Sequence, residues 1–132
     1  MPKLKQLDCS LQIGPSDTPL KEYGAQYRDG YVETFIPVPD TDLPFTISLK
    51  TDGYIAPGLG VWVFMDGQYQ CNKNKMGFKM PGRGVEPRDN ETTFHLRQKE
   101  DKTSTPNNFV VRDWTFAKLN RGDCHECFMM AI

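Results

Sequence analysis

The densest chemistry in this chain lies at positions 72–88, where Lys73, Lys75, Lys79, Arg83 and Arg88 stand against Glu86 alone. Five cations interleaved with Phe78 and three glycines can grip phosphates, an acidic peptide or single-stranded nucleic acid, with counterion release making the grip salt-sensitive. The same charges also suit a solvated loop that keeps a hairpin edge soluble. Between Gly77 and Gly84 there is no Gly-Lys-Ser or Gly-Lys-Thr, so a nucleotide-binding phosphate loop of the Walker type is excluded.

Cys124-His125-Glu126-Cys127 supplies two thiols at the spacing of half a tetrahedral zinc site. The other half would have to come from Cys9, Cys71, His95 or His125, and thioredoxin-like chemistry would need a βαβ setting that the chain does not show. Cys124 and Cys127 therefore read as part of a polar turn, and no metal or cofactor is expected. His95, between Phe94 and Leu96, has the chemistry of a general base, but a triad needs a nucleophile and an orienting acid. A surface or hydrogen-bonded histidine is the plainer reading. Asp40 with Asp42, and Glu100 with Asp101, fall in turn-like stretches where acidic residues favour loop conformations. No residue is designated catalytic, and the chain reads as non-enzymatic.

A second candidate surface is aromatic. Trp-x-Phe occurs twice, at Trp62 and Phe64 and again at Trp114 and Phe116, and strand geometry puts both members of each pair on one face. Together with Tyr69, an open face carrying Trp62, Phe64 and Trp114 would stack on sugars or planar ligands. Core packing is the expected fate, because large aromatics dominate core energetics.

The elements that must position these groups are short strands. Val61-Trp62-Val63-Phe64-Met65 and Gln68-Tyr69-Gln70-Cys71 flank Asp66-Gly67, a pair that tolerates positive φ at both turn positions and signals a tight hairpin. The first of these strands is apolar on both faces, as in a strand covered on both sides or facing a partner. Leu7, Cys9, Leu11 and Ile13 alternate with polar residues, as do Phe45, Ile47 and Leu49 between Pro44 and Asp52-Gly53. Positions 31–36, 92–97 and 109–116 carry the same aromatic and β-branched signature, and Pro37 and Pro39 mark a loop or sheet edge. An apolar run at 128–132 reads as a last strand, or as the point where a longer chain is cut. About eight strands with little helix predict an all-β fold, a single antiparallel β-sandwich or jelly roll over residues 1–132.

At 132 residues the chain is long enough to bury one core without disulfides or metals. The net charge of −1 hides an uneven distribution, with five basic and nine acidic side chains before position 71 and the cationic stretch directly after it. No apolar run approaches the roughly 20 residues of a membrane span, and positions 1–8 lack the apolar stretch of a secretory signal. An intracellular protein, cytoplasmic or nuclear, with its four cysteines reduced is the expectation.

Pro19-Leu20-Lys21-Glu22-Tyr23, Val32-Glu33-Thr34-Phe35-Ile36, Phe45-Thr46-Ile47, Val63-Phe64-Met65-Asp66-Gly67-Gln68-Tyr69, Phe94-His95-Leu96-Arg97-Gln98 and Arg112-Asp113-Trp114-Thr115-Phe116-Ala117-Lys118-Leu119 follow one another along the chain. Together they resemble an uncharacterised fungal family known only as a domain of unknown function. The resemblance implies a β-sandwich with variable, often charged C-terminal extensions, and implies no catalytic residue.

The sequence thus predicts a binding or protein-interaction module working through the basic stretch, with Lys73, Lys75, Phe78, Lys79, Arg83 and Arg88 as contact residues. An acidic ligand or nucleic acid fits the same stretch, and a sheet edge leaves room for a homodimer. One rival is a small-molecule or glycan binder using Trp62, Phe64, Tyr69 and Trp114. The other is an enzyme centred on His95 with Cys71 or Asp113 in reach.

Overall fold

The computed structural model describes residues 3–55 and 57–117, so the 128–132 run and the Cys124 and Cys127 pair lie outside the described residues. Within them the chain forms eleven strands: β1 (Lys3–Leu4), β2 (Leu7–Ile13), β3 (Thr18–Pro19), β4 (Tyr23–Arg28), β5 (Tyr31–Phe35), β6 (Pro44–Thr51), β7 (Gly58–Met65), β8 (Gln68–Met76), β9 (Thr92–Leu96), β10 (Gln98–Lys102) and β11 (Phe109–Thr115). One turn of 3-10 helix, Pro87–Asn90, precedes β9. The fold is all-β, as the alternation predicts, and its sheets are antiparallel.

β6 is the axis of a seven-stranded sheet. One edge pairs along its length with β2, from Leu7 opposite Thr51 to Ile13 opposite Phe45. The other edge is shared, with β9 covering Ile47 to Thr51 and β11 taking Pro44 and Phe45. β10 extends the sheet beyond β11, and β1 and β3 pair with the two ends of β2. Strict alternation in β6 drives the layering: Phe45, Ile47, Leu49 and Thr51 are buried on one face, joined there by Cys9, Phe94 and Leu96. Thr51 fits this face because its hydroxyl donates to the Asn90 carbonyl at 2.7 Å and accepts the Thr92 amide at 3.1 Å.

Two separate ribbons complete the fold, β4 with β5 and β7 with β8. The β7–β8 ribbon lays Val61, Val63 and Cys71 onto the same core as the large sheet, giving two layers. Its turn is as read from the sequence, with φ of 50° at Asp66 and 74° at Gly67.

Three points differ from the sequence reading. The basic stretch is not all loop: β8 runs to Met76, because Asn72 to Met76 find backbone partners in Gly58 to Trp62. β1, β3, β4 and β10 are strands without a strand-like pattern, formed by pairing alone. And β7, apolar on both faces, is covered on only one.

Candidate functional site

The outer face of the β7–β8 ribbon is built by register. Gly58 faces Met76, Gly60 faces Asn74, Trp62 faces Asn72 and Phe64 faces Tyr69, so these eight side-chain positions share one surface. Trp62 is 53% exposed, Phe64 52% and Tyr69 45%. Phe64 and Tyr69 meet edge to face, 5.8 Å between centroids at 69°. Asn72 donates its amide to the Tyr69 hydroxyl at 2.8 Å, which fixes that ring against the strand.

Trp62 is held flat by what Gly60 lacks. A Cβ at Gly60 would lie 2.6 Å from Cη2 and 2.8 Å from Cζ3 of the indole, so the six-membered ring occupies the space over the glycine. Asn74 Oδ1 flanks the same spot, 3.2 Å from that Cβ position. Met76 covers Gly58 in the same way, with Sδ 2.6 Å from a Cβ built there. The sequence reading started this strand at Val61 and missed the close approach; Gly60 inside the strand is the signal for it.

A bulge separates this face from the inner one. The register shifts between Val63 and Phe64, leaving Gln70 as an extra residue turned inward beside Cys71. Gln70 Oε1 accepts the buried indole N–H of Trp114 at 3.3 Å. Trp114 therefore belongs to the core: it is 6% exposed and its ring stacks on Phe45 at 5.8 Å, with Phe116 on the other side of the same aromatic cluster. Core packing, the fate expected from the sequence, holds for Trp114 and Phe116 and fails for Trp62, Phe64 and Tyr69, which share an exposed face because only the other side of the ribbon meets the core.

The basic residues divide. Lys73 lies on the inner face opposite Val61, with its ammonium 5.8 Å from the Phe94 ring centroid and donating to the His95 carbonyl at 3.4 Å. Lys75 follows it opposite Leu59. Beyond the strand the segment is tied down rather than loose: the buried Asn90 side chain accepts the Lys79 amide at 2.7 Å and donates to its carbonyl at 2.9 Å. The Tyr54 hydroxyl donates to Val85 O at 3.0 Å, and Phe78 is half-buried. Arg88 is neutralised by Glu86 at 2.7 Å. Among the described residues Lys75, Lys79 and Arg83 make no ion pair; Lys75 is on the inner face, whereas Lys79 and Arg83 belong to the segment that continues the strip past Met76.

His95 is half-buried on the face of β9 opposite to Phe94 and Leu96, next to Ser48 across the sheet. Cys71 lies in the core on the other face, and among the described residues His95 Nδ1 is buried without a hydrogen-bond partner and no acid orients the ring. Cys9 is no better a nucleophile, because burial and then the Glu22 charge push its thiol up to about 12. Among the described residues no three His, Cys, Asp or Glu side chains form a metal-binding group, and no helix is long and apolar enough to cross a membrane. An open cleft of about 580 Å³ runs along Leu20, Lys21, Tyr23, Tyr27 and Thr34 and shares no residue with the aromatic strip.

No family model, curated protein or solved structure matches this chain.

Proposed function

We propose that this chain is a non-enzymatic binding module whose contact surface is the outer face of the β7–β8 ribbon together with the basic segment that continues it. The observation that carries this reading is the asymmetry of the ribbon. One face supplies Val61, Val63 and Cys71 to the core, while the other holds Trp62, Phe64 and Tyr69 in fixed poses in solvent. Exposed aromatics that are positioned by a glycine and an asparagine do nothing for the core, and such patches mark interaction sites. The intracellular setting, cytoplasmic or nuclear, and kinship with the fungal β-sandwich family belong to the same proposal. The kinship rests on the segments quoted above. The unpaired edges of the ribbon, among the described residues, also suit pairing with a second copy.

The test is affinity capture from a native extract, with and without nuclease, using the wild type, Trp62→Ala, and a variant with Lys73, Lys75, Lys79 and Arg83 changed to Ser. A partner set lost with both variants supports the reading. A set unchanged by either removes the ribbon as the contact surface.

A glycan-binding reading draws on the same face, since Trp62 beside the Asn74 amide is a platform on which a sugar ring stacks. Binding of a neutral oligosaccharide that is lost in Trp62→Ala and retained in the four-site variant would favour it.

A further inference from the structure

We infer that the partner of this surface is single-stranded nucleic acid, its bases stacked along the outer strip and its phosphates held by Lys79 and Arg83 in the segment that continues it; the inference rests on the binding-module reading and names the partner's chemistry. Two independent features select this ligand. The first is a row of exposed rings: strand geometry sets Trp62 and Phe64 about 7 Å apart along β7, room for one base on each, and the strip from Phe64 to Gly58 is about 20 Å long. Stacking of this kind tolerates sequence, because every base presents a π-face. The second is the uncompensated charge at the Met76 end, where Lys79 is pinned through its backbone by Asn90 and Arg83 sits in the tight turn closed by Gly82 and Val85.

Neither feature alone distinguishes partners, but their adjacency does. A neutral glycan uses the rings and leaves two cations without a role. An acidic peptide uses the cations and leaves the flat Trp62 platform without one. A chain of planar bases on an anionic backbone uses both. A duplex hides its base faces in the stack and gains only the charge term.

The experiment is fluorescence anisotropy of a labelled 12-nucleotide single strand, as DNA and as RNA, titrated with the full chain over a salt series. Competitors are the matching duplex, a mononucleotide, poly-glutamate and a neutral oligosaccharide. The expected result is binding that the single strand alone competes well, that weakens on the order of tenfold in Trp62→Ala, the loss of one stacked base, and that Trp62→Phe largely retains. Changing Lys79 and Arg83 to Ser should lower the slope of log K against log salt by about 1.4, the release expected for two phosphate contacts on a single strand. Unfolding midpoints of each variant confirm that the fold is kept.

Binding that Trp62→Ala leaves unchanged, or that poly-glutamate competes as well as the single strand does, overturns the inference, as does preference for the oligosaccharide or the mononucleotide. Absence of oligonucleotide binding, with a captured partner set that still depends on Trp62, overturns the nucleic-acid assignment and leaves the binding-module reading standing. Loss of both overturns the two together.

Discussion

Trp62 with Phe64 on β7, and Trp114 near the end of β11 with Phe116 just beyond it, are spelled alike, yet one pair is half in solvent and the other lies at 6% and 8% exposure in the core. The difference comes from what each face meets. Trp114 lands opposite Phe45 across the sheet, stacks on it, and finds Gln70 Oε1 for its N–H. Trp62 lands opposite Asn72 on a two-stranded ribbon whose other face already contacts the core, and its ring settles over Gly60. Identical motifs therefore serve two purposes. The inner pair closes the fold, and the outer pair is available to a partner.

The largest test of that contrast is truncation of the inner ring. Trp114→Ala should cost about 3–5 kcal/mol in denaturant unfolding, the range for large-to-small aromatic changes in a core. A loss below about 1 kcal/mol, the scale of surface substitutions, would put Trp114 in the same class as Trp62 and break the comparison.

Next is the residue that links the two faces. Gln70→Ala leaves the buried Trp114 N–H without an acceptor and should cost about 1–3 kcal/mol, with no effect on contacts made by the outer face. An unchanged unfolding midpoint would mean that the bulge does not hold the core indole.

The inner layer should also show a pH signature. Burial holds the Cys9 thiol at about 12 against an ordinary 9.0, so the folded state keeps a proton that the unfolded chain releases. Its contribution is fully present below pH 9 and is lost as pH rises from 9 toward 12, at up to about 1.4 kcal/mol per pH unit. Urea unfolding of wild type and Cys9→Ala at pH 8 to 10.5 should differ in slope by that amount above pH 9. Parallel slopes would show that the thiol does not feel the core.

Much of this was legible in the sequence. The alternation at 7–13 and 45–50, the Asp66-Gly67 turn and the all-β class follow from period-two patterning and turn chemistry. What escaped has physical reasons. β10, Gln-Lys-Glu-Asp-Lys, carries no apolar residue and is a strand because β11 offers its backbone. The strand character of Lys73 and Lys75 is likewise supplied by Leu59 and Val61 opposite them. A bulge turns Gln70 inward against the alternation, and no period predicts it. For the candidate site, the sequence placed Trp62 and Phe64 on one face and read the cations as a separate surface. It could not say which face of β7 is covered, because coverage depends on the layer that the strand packs against.

The smallest expected stability changes fall on the outer strip. Gly60→Val places its Cβ inside the Trp62 ring's present volume, yet the ring can swing outward, so stability should stay within about 0.5 kcal/mol while oligonucleotide affinity falls and acrylamide quenching of Trp62 rises. Retained affinity would show that the flat pose of the indole is immaterial.

The most direct measurement is Trp62→Ala read twice, by unfolding midpoint and by partner or oligonucleotide binding. An unchanged midpoint with lost binding is the predicted result, because the ring is exposed and available for contact. A large loss of stability, or full binding by the folded variant, would contradict the division between an inner pair that closes the fold and an outer pair that meets a partner.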